Sequence, residues 1–388
     1  MINRIRPYIC TEDTTFLKYE NIRAEHCTLA TAMLRYIFWP DNELFSKILN
    51  IFYYFIPGIM TCGLFGYVYK IICIDKLKFT EYISDLTFIL IIFIGTCMAI
   101  FVKRSKTGGL VLINIITTSP FIRVKDEVIK RNYVPINRIV FVVFTGISLF
   151  WVIEIITSPL QAIYMDFLYF PFYYFVDLGT TLTIIFNVAF LMEIYFLFMI
   201  IWTIIAVYYT LAKYFESNCV MIVKALENLK LEKDLWKRQK RFSFIVQHHL
   251  LVCLFWKAVG DLIKYPILII VTFGTGTFAL MLISLYIEFQ VVIFAVMIMA
   301  ICIVLMGCFV FYRFEDISIR LHHATFYAMP WDGDIAIMKK ILFLNLRMQY
   351  YFHVPIGDVT VLTNELILQL TQTIYSMITM YLNTNKSK

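Results

Sequence analysis

The sequence predicts an all-α membrane protein with seven transmembrane helices, a cytoplasmic amino terminus and an extracellular carboxyl terminus. Composition is the first observation: of 388 residues, 61% are hydrophobic and only 16% are charged, too few to cover a soluble domain. The second is a series of seven long stretches with almost no charge. The third is the uneven distribution of Lys and Arg among the gaps between these stretches, which indicates the side of the membrane on which each gap lies.

The seven stretches approach or exceed the roughly 20 apolar residues that a helix needs to cross a bilayer core. They lack the polar stripe that a soluble core helix of this length would carry. The predicted spans, within a single domain of residues 1–388, are 48–69, 86–102, 139–157, 179–212, 265–287, 289–312 and 366–385.

The gaps alternate in charge. Residues 103–138 carry eight Lys and Arg against two acids, whereas 154–177 carry three acids and no base. Ten bases in 213–264 and five in 313–358 continue the alternation. Basic gaps lie in the cytoplasm, so the net charge of +7 needs no nucleic-acid partner.

Besides residues 103–138, three segments outside the spans are predicted to be cytoplasmic: the amino-terminal residues 1–47, then 213–264 and 313–357. Apolar residues recur three and four apart after Ala212, which is typical of an amphipathic helix. No Gly or Pro follows Gly179 before that point, so span four is expected to continue below the membrane as one helix.

Motifs for catalysis are missing from the sequence. It has no phosphate-binding GxxxxGK[ST], no HExxH and no GxSxG. Its nine Cys have no paired short spacing, and adjacent His pairs point about 100° apart on a helix, so they make poor joint ligands. We therefore expect no enzyme, cofactor or metal. Gly274-Thr275-Gly276-Thr277 is interpreted as a close-packing or bending site.

One intramembrane acid and many aromatic residues leave alternatives open. Glu193 lies about 21 Å along span four, where it is either part of a polar vestibule or a hydrogen-bonded packing residue. The aromatic side chains serve either lipid contact and helix packing or an apolar pocket for a small ligand.

Five short motifs, in this order along the chain, resemble those of the insect odorant receptor family. They are Met33–Pro40 with its terminal Trp-Pro, Phe170–Asp177, Ile245–His249, Ala324–Trp331 and Gln372–Ser376 with its Tyr-Ser. The resemblance implies the odorant-binding subunit of a non-selective cation channel in the plasma membrane, in the dendrite of a sensory neuron. Four subunits, including an olfactory co-receptor, would form a heterotetramer around a pore lined by the seventh helix. Residues 213–264 and 313–357 would form the anchor domain that joins them.

The same resemblance implies two sites. A small volatile odorant would bind in the extracellular half of the bundle, among Phe88, Ile92, Gly146, Phe150, Trp151, Phe186, Asn187, Phe190, Ile293 and Met297. Permeant cations would pass the last helix, where Gln369, Gln372 and Ser376 share one face beside Ile374, the expected gate. Membrane lipids would surround the bundle.

Three other classes share part of this pattern. A gustatory-receptor-like channel would have the same architecture and conduct without a co-receptor. A G-protein-coupled receptor would need the opposite topology, and the sequence lacks its Asp-Arg-Tyr and Asn-Pro-x-x-Tyr motifs at the third and seventh spans. A transporter would need more intramembrane acids with partners.

Overall fold

The structure is a computed structural model that describes residues 79–105, 179–287, 291–329, 335–348 and 352–386. It also describes fourteen isolated helical positions within 47–73 and 145–157. The elements, in chain order, are α1 (Phe79–Arg104), α2 (Gly179–Leu231), α3 (Leu235–Ile269), a π turn (Ile270–Gly274), α4 (Thr275–Ile287), α5 (Val291–Tyr327), α6 (Ile335–Met348), β1 (Pro355–Ile356), β2 (Thr360–Val361) and α7 (Asn364–Lys386).

The described part is mostly helical, as the sequence predicts, and it contains one element that the sequence analysis missed. Strands β1 and β2 form an antiparallel hairpin in which Pro355 pairs with Val361 and Ile356 with Thr360. The expectation of a purely helical segment up to residue 357 is therefore wrong at its end. β-branched residues on both sides of Gly357-Asp358 favour strands. The turn between them needs a residue that tolerates positive φ, and Gly357 has φ +58°.

Helices occupy much of the predicted spans two and four to seven. α2 continues without a break from Gly179 to Leu231, a length of about 80 Å at 1.5 Å per residue. That is more than twice the ~30 Å thickness of a hydrocarbon core. α2 therefore extends well beyond the bilayer if its apolar half crosses one.

A tight turn separates α2 from α3. Asp234 caps α3, because its Oδ1 accepts hydrogen bonds from the backbone N–H groups of Trp236 at 3.0 Å and Lys237 at 3.3 Å. Arg238 folds back to donate two hydrogen bonds, at 2.9 Å and 2.6 Å, to the carbonyl of Glu232. The charged residues at 232–238 thus end one helix and start the next.

A second irregularity divides α3 from α4. Pro266 lies inside α3 and has no N–H to donate, and four residues later the helix widens into the π turn Ile270–Gly274. Thr275 and Thr277 then donate their hydroxyl groups to carbonyls one turn earlier, at 2.9 Å and 2.8 Å. The predicted bending site at Gly274–Thr277 thus begins where this π turn ends.

The core lies where the carboxyl-terminal halves of α2 and α5 meet α3 and α6. Phe215, Trp256, Phe314 and Phe352 pack ring against ring there, with centroids 4.4 to 5.2 Å apart. The sixteen buried residues of α3 are spread along its whole length. This aromatic cluster holds together the helices that the sequence places in the anchor domain.

Among the described residues, one helix is long and apolar enough to cross a membrane: Leu235–Ile287, followed through the π turn. The apolar segment Leu86–Met98 of α1 is shorter. Seven crossings and the sides of the two termini stay predictions, as do the domain boundaries.

Candidate functional site

The last helix, α7, divides its side chains between two faces. Half-buried residues recur three and four apart, and this face is formed by Ile367, Leu370, Ile374, Ile378 and Tyr381. The opposite face is exposed and consists of Glu365, Leu368, Gln369, Gln372, Tyr375, Ser376, Met380 and Asn383. Because α7 packs along α4, it has one face on the protein and one that no described residue covers.

The predicted pore residues are therefore split. Gln369, Gln372 and Ser376 lie on the exposed face, as their spacing predicts. Ile374 lies on the half-buried face, because two residues along a helix correspond to about 200° of rotation from Gln372. Within the exposed stripe the large apolar side chains are Leu368, 58% exposed, Tyr375, 71% exposed, and Met380, 73% exposed. The sequence analysis did not assign these three residues to the pore, although the same spacing rule includes them.

Four of the ten predicted ligand-binding residues lie on α1 and α5 with described side chains. Ile92 of α1 and Ile293 of α5 are buried, and Phe88 and Met297 on the same helices are half-buried. Both helices pack against α4. The structure thus places these four residues on two helices that share one neighbour, and that neighbour also contacts α7.

The other six predicted ligand-binding residues are less defined. Gly146 is helical and exposed, and no described atom lies within 4 Å of a methyl group added there. Phe186, Asn187 and Phe190 lie on α2, but their side chains are outside the described part. Phe150 and Trp151 lie outside the described residues altogether, and so does the side chain of Glu193. Their part in a pocket remains a prediction.

A contact at the π turn adds an aromatic residue that the sequence analysis did not single out. The Phe273 ring meets the Phe93 ring of α1 edge to face, with centroids 5.0 Å apart. Phe93 is one residue from the predicted pocket residue Ile92. The π turn therefore touches the helix that carries part of the predicted pocket, and α4 continues from it to α7.

The hairpin closes the other end of α7. The N–H of Leu362, one residue after β2, donates to the carbonyl of Val354 at 2.8 Å. The next residue, Thr363, caps α7 by accepting the Leu366 N–H on its hydroxyl at 3.2 Å. Hydrogen-bonded backbone thus runs from the hairpin into α7 without a free linker.

Asn218 of α2 and His248 of α3 are both buried and are paired with each other. The Nδ2 of Asn218 donates to the carbonyl of Tyr214 at 2.9 Å, which leaves its Oδ1 to accept from Nε2 of His248 at 3.1 Å. Burial, followed by the charge of His249, lowers the pKa of His248 to about 3. His248 is therefore neutral at physiological pH, and it serves structure rather than proton transfer.

The described residues contain no metal site, because no three His, Cys, Asp or Glu side chains among them are placed to hold a metal ion. The four described cysteines are free. Burial holds the pKa of the Cys219 thiol well above its ordinary value, so that thiol is protonated and unreactive.

Comparison with solved structures identifies the fold. The chain superposes on the olfactory receptor OR5 of the insect Machilis hrabei in complex with eugenol, with a TM-score of 0.71, 9% sequence identity, and coverage of 93% of this chain and 98% of that one. A second structure of the same receptor gives a TM-score of 0.64 at 8% identity, with 93% of this chain and 97% of that chain covered.

The sequence matches no protein-family model and none of the curated proteins. Both of these structures are of an olfactory receptor. Nearly the whole length of both chains takes part in the match. The polypeptide therefore has an insect odorant receptor-like fold.

Proposed function

We propose that this chain is the odorant-binding subunit of a heteromeric, odorant-gated cation channel. The single observation that carries the proposal is the division of α7 into a packed face and an exposed face with a polar stripe. A helix of this kind fits the wall of a central pore, because its neighbours in an assembly leave the polar face to water. Around such a pore, Gln369, Gln372 and Ser376 would meet the permeant cations.

The gate is proposed to use both faces of α7. Leu368 and Tyr375 would narrow the pore from the exposed stripe, while Ile374 would act from the packed face by fixing the rotation of the helix. A constriction of apolar side chains stops ions by excluding water. Without the Ile374 side chain the rotation of α7 would no longer be fixed, so Ile374→Ala should raise basal current. Unchanged basal current and ion selectivity would contradict a role for this residue in gating.

The ligand is proposed to be a small apolar volatile, bound in the extracellular half of the bundle beside Phe88, Ile92, Ile293 and Met297. The structurally similar receptor of Machilis hrabei binds eugenol, which supports a ligand of this class. Apolar burial alone can supply the affinity: about 0.8 kcal/mol per CH₂ gives about 8 kcal/mol for ten carbons, equivalent to a micromolar Kd. Gly146, Phe150, Trp151, Phe186, Asn187 and Phe190 would complete the pocket.

The proposed partner is an olfactory co-receptor, with which this chain would form a heterotetramer in the plasma membrane of a sensory dendrite. The proposal is supported by the exposed face of α7 and by apolar side chains exposed on α5 and α6. Residues 213–264 and 313–357 would form the anchor domain through which the subunits meet.

Whole-cell recording tests the proposal. Cells would express this chain alone, an olfactory co-receptor alone, or both, and would be exposed to a broad panel of volatile odorants. We expect rapid inward cation current to the active odorants only in cells that express both chains. Current from this chain alone would identify a self-sufficient, gustatory-receptor-like channel instead, and silence in every cell despite surface expression of both chains would contradict channel function.

A further inference from the structure

The β-hairpin before α7 is docked on the end of α3 by main-chain and side-chain hydrogen bonds. The N–H of Gly357 donates to the carbonyl of Lys264 at 2.8 Å, and Nε1 of Trp256 donates to the carbonyl of His353 at 2.9 Å. Val354 and Ile356 bury their side chains at the same place, each only 1% exposed. The hairpin is thus fixed to one helix by bonds at both of its ends.

Two glycines permit this close approach. A methyl group added to Gly260 of α3 would lie 3.2 Å from Cγ of Pro355, and one added to Gly357 would lie 3.0 Å from Cδ2 of Leu268. The positive φ of Gly357 also disfavours any other residue there. The surfaces of α3 and the hairpin therefore meet without room for a further carbon atom.

An ion pair lies at the edge of this contact. Lys264 Nζ and the Tyr265 hydroxyl each donate to Asp358, at 2.8 Å to its two separate carboxylate oxygens. The hydrogen bond from Lys264, followed by that from Tyr265, holds the pKa of Asp358 below its ordinary value. The carboxylate is therefore charged, and both of its oxygens are occupied by α3.

Lys264 has a second acid within reach. Oδ1 of Asp261, one turn earlier in α3, lies 3.7 Å from its Nζ. If the hairpin moved away, Lys264 would keep a carboxylate partner on its own helix, which lowers the free-energy cost of leaving Asp358. A contact with a ready substitute partner can be released, unlike the apolar packing of the aromatic cluster.

Movement of the hairpin is coupled to movement of α7. Only Leu362 and the capping residue Thr363 lie between β2 and α7, and both are held by hydrogen bonds. Asn364 Nδ2 also donates to Oε2 of Glu315 on α5 at 3.4 Å. A displacement at the start of α7 must therefore shift the hairpin relative to α3 or break this backbone continuity.

We propose that Lys264 and Asp358 are positioning residues for the pore helix: their ion pair holds the hairpin on α3 in the closed channel, and its exchange to Lys264–Asp261 accompanies opening. The inference rests on the proposed function. A ligand-gated channel rests closed, and we assign the docked arrangement of the hairpin to that resting state. Loss of a contact that exists in one state alone shifts the equilibrium toward the other.

The first test is Asp358→Asn in cells that express the co-receptor. Removing an exposed ion pair from the closed state should raise basal current and lower the odorant EC50 about two- to fivefold. The double variant Lys264→Asp with Asp358→Lys restores opposite charges across the contact and leaves two carboxylates side by side on α3, at 261 and 264, when the hairpin moves away. It should therefore return basal current to the native value or below it. A simple loss of folding would not be repaired by the exchange.

The matched control is Asp316→Asn. Asp316 Oδ2 accepts from Nε of Arg320 at 3.0 Å within α5, so this change removes an exposed ion pair of the same charge away from the hairpin. A second variant leaves charge unchanged: Gly260→Ala brings a methyl group within 3.2 Å of Cγ of Pro355 and should act like Asp358→Asn. Native EC50 and basal current in both Asp358→Asn and Gly260→Ala, at equal surface expression, would overturn the inference.

Hydrogen exchange gives a readout that does not depend on current. In the purified chain, the amides of residues 353–363 should exchange several-fold faster in Asp358→Asn than in the native protein or in Asp316→Asn. Equal exchange in all three would overturn the inference even if the channel conducts. Faster exchange together with absent odorant current in the native channel would support the docking role of the pair and contradict the proposed function.

Discussion

At the scale of single residues, buried polar groups explain how this apolar chain fixes one arrangement of its helices. Asn218 and His248, separated by thirty positions in sequence, are both buried, meet at 3.1 Å and satisfy each other. An unpaired amide or imidazole at this depth would cost about 1–3 kcal/mol. The pair therefore penalises any other register between α2 and α3.

These histidines also predict how stability depends on pH. The pKa of His248 is lowered to about 3 and that of His249 to about 4, in both cases first by burial. The unfolded chain, with pKa values near 6.5, binds protons more readily than the folded one, so stability is full above that pH and declines below it.

The variant His248→Gln tests this dependence, because Gln can donate to Asn218 Oδ1 but cannot be protonated. Between pH 6.5 and pH 5, a neutral buried histidine costs the native protein about 2 kcal/mol. We expect the thermal midpoint of the detergent-solubilised variant to fall less over this range than that of the native chain, with a remaining decline from His249. An identical decline in both proteins would show that His248 is protonated as easily in the folded state.

At the scale of elements, the faces of α7 predict which positions water-soluble reagents reach. Gln372→Cys and Ser376→Cys place a thiol on the exposed stripe, and Ile374→Cys places it on the half-buried face. A charged thiol reagent applied to conducting channels should change the current of the first two variants within seconds to minutes and leave the third unchanged. The native channel is the control, because it has an exposed free thiol at Cys73. If the reagent modified Ile374→Cys faster than Gln372→Cys and Ser376→Cys, the half-buried face of α7 would line the pore.

Sequence patterns predict these elements unevenly. Long uncharged stretches fix the helices because apolar length is a local property, and α7 at 364–386 differs little from the stretch at 366–385. The break at Glu232–Asp234 depends on the cap of α3, and the hairpin depends on Gly357. Each signal consists of one or two residues, and the helical pattern on both sides of it makes it hard to detect in the sequence. The placement of Ile374 follows from helix geometry alone, but which face of α7 is covered depends on α4, and no pattern within α7 specifies its neighbour.

At the scale of the whole molecule, apolar surface outside the predicted spans suggests where subunits meet. On α6, Leu342, Phe343 and Leu346 are exposed, and on α5 Phe326 and Tyr327 are exposed as well. The buried face of α6, by contrast, contains Ile337, Ile341 and Leu344. A helix outside the predicted spans that is apolar on two faces indicates a second contact, which in the proposed channel is the neighbouring anchor domain.

Introducing a charge into this apolar surface tests the contact. Phe343 is 73% exposed in the single chain, and Phe343→Asp would put a carboxylate where an apolar ring is proposed to be buried. Because burying a Phe side chain contributes about 1.5–3 kcal/mol, we expect at least tenfold less co-purification with a tagged co-receptor. Phe343→Leu keeps this position apolar without adding a charge and should leave the complex intact. Equal recovery of both variants would place the subunit contact elsewhere.

The continuity of α2 limits where motion can occur. As a stiff rod of about 80 Å, α2 would swing its far end by about 7 Å for a tilt of only about 5°. That end is embedded through Phe215 and Leu226 in a rigid core, which resists such a swing. α2 therefore stays fixed. A ligand bound as proposed beside its amino-terminal half would instead move the neighbouring interrupted helices, which can bend at the π turn and at the hairpin.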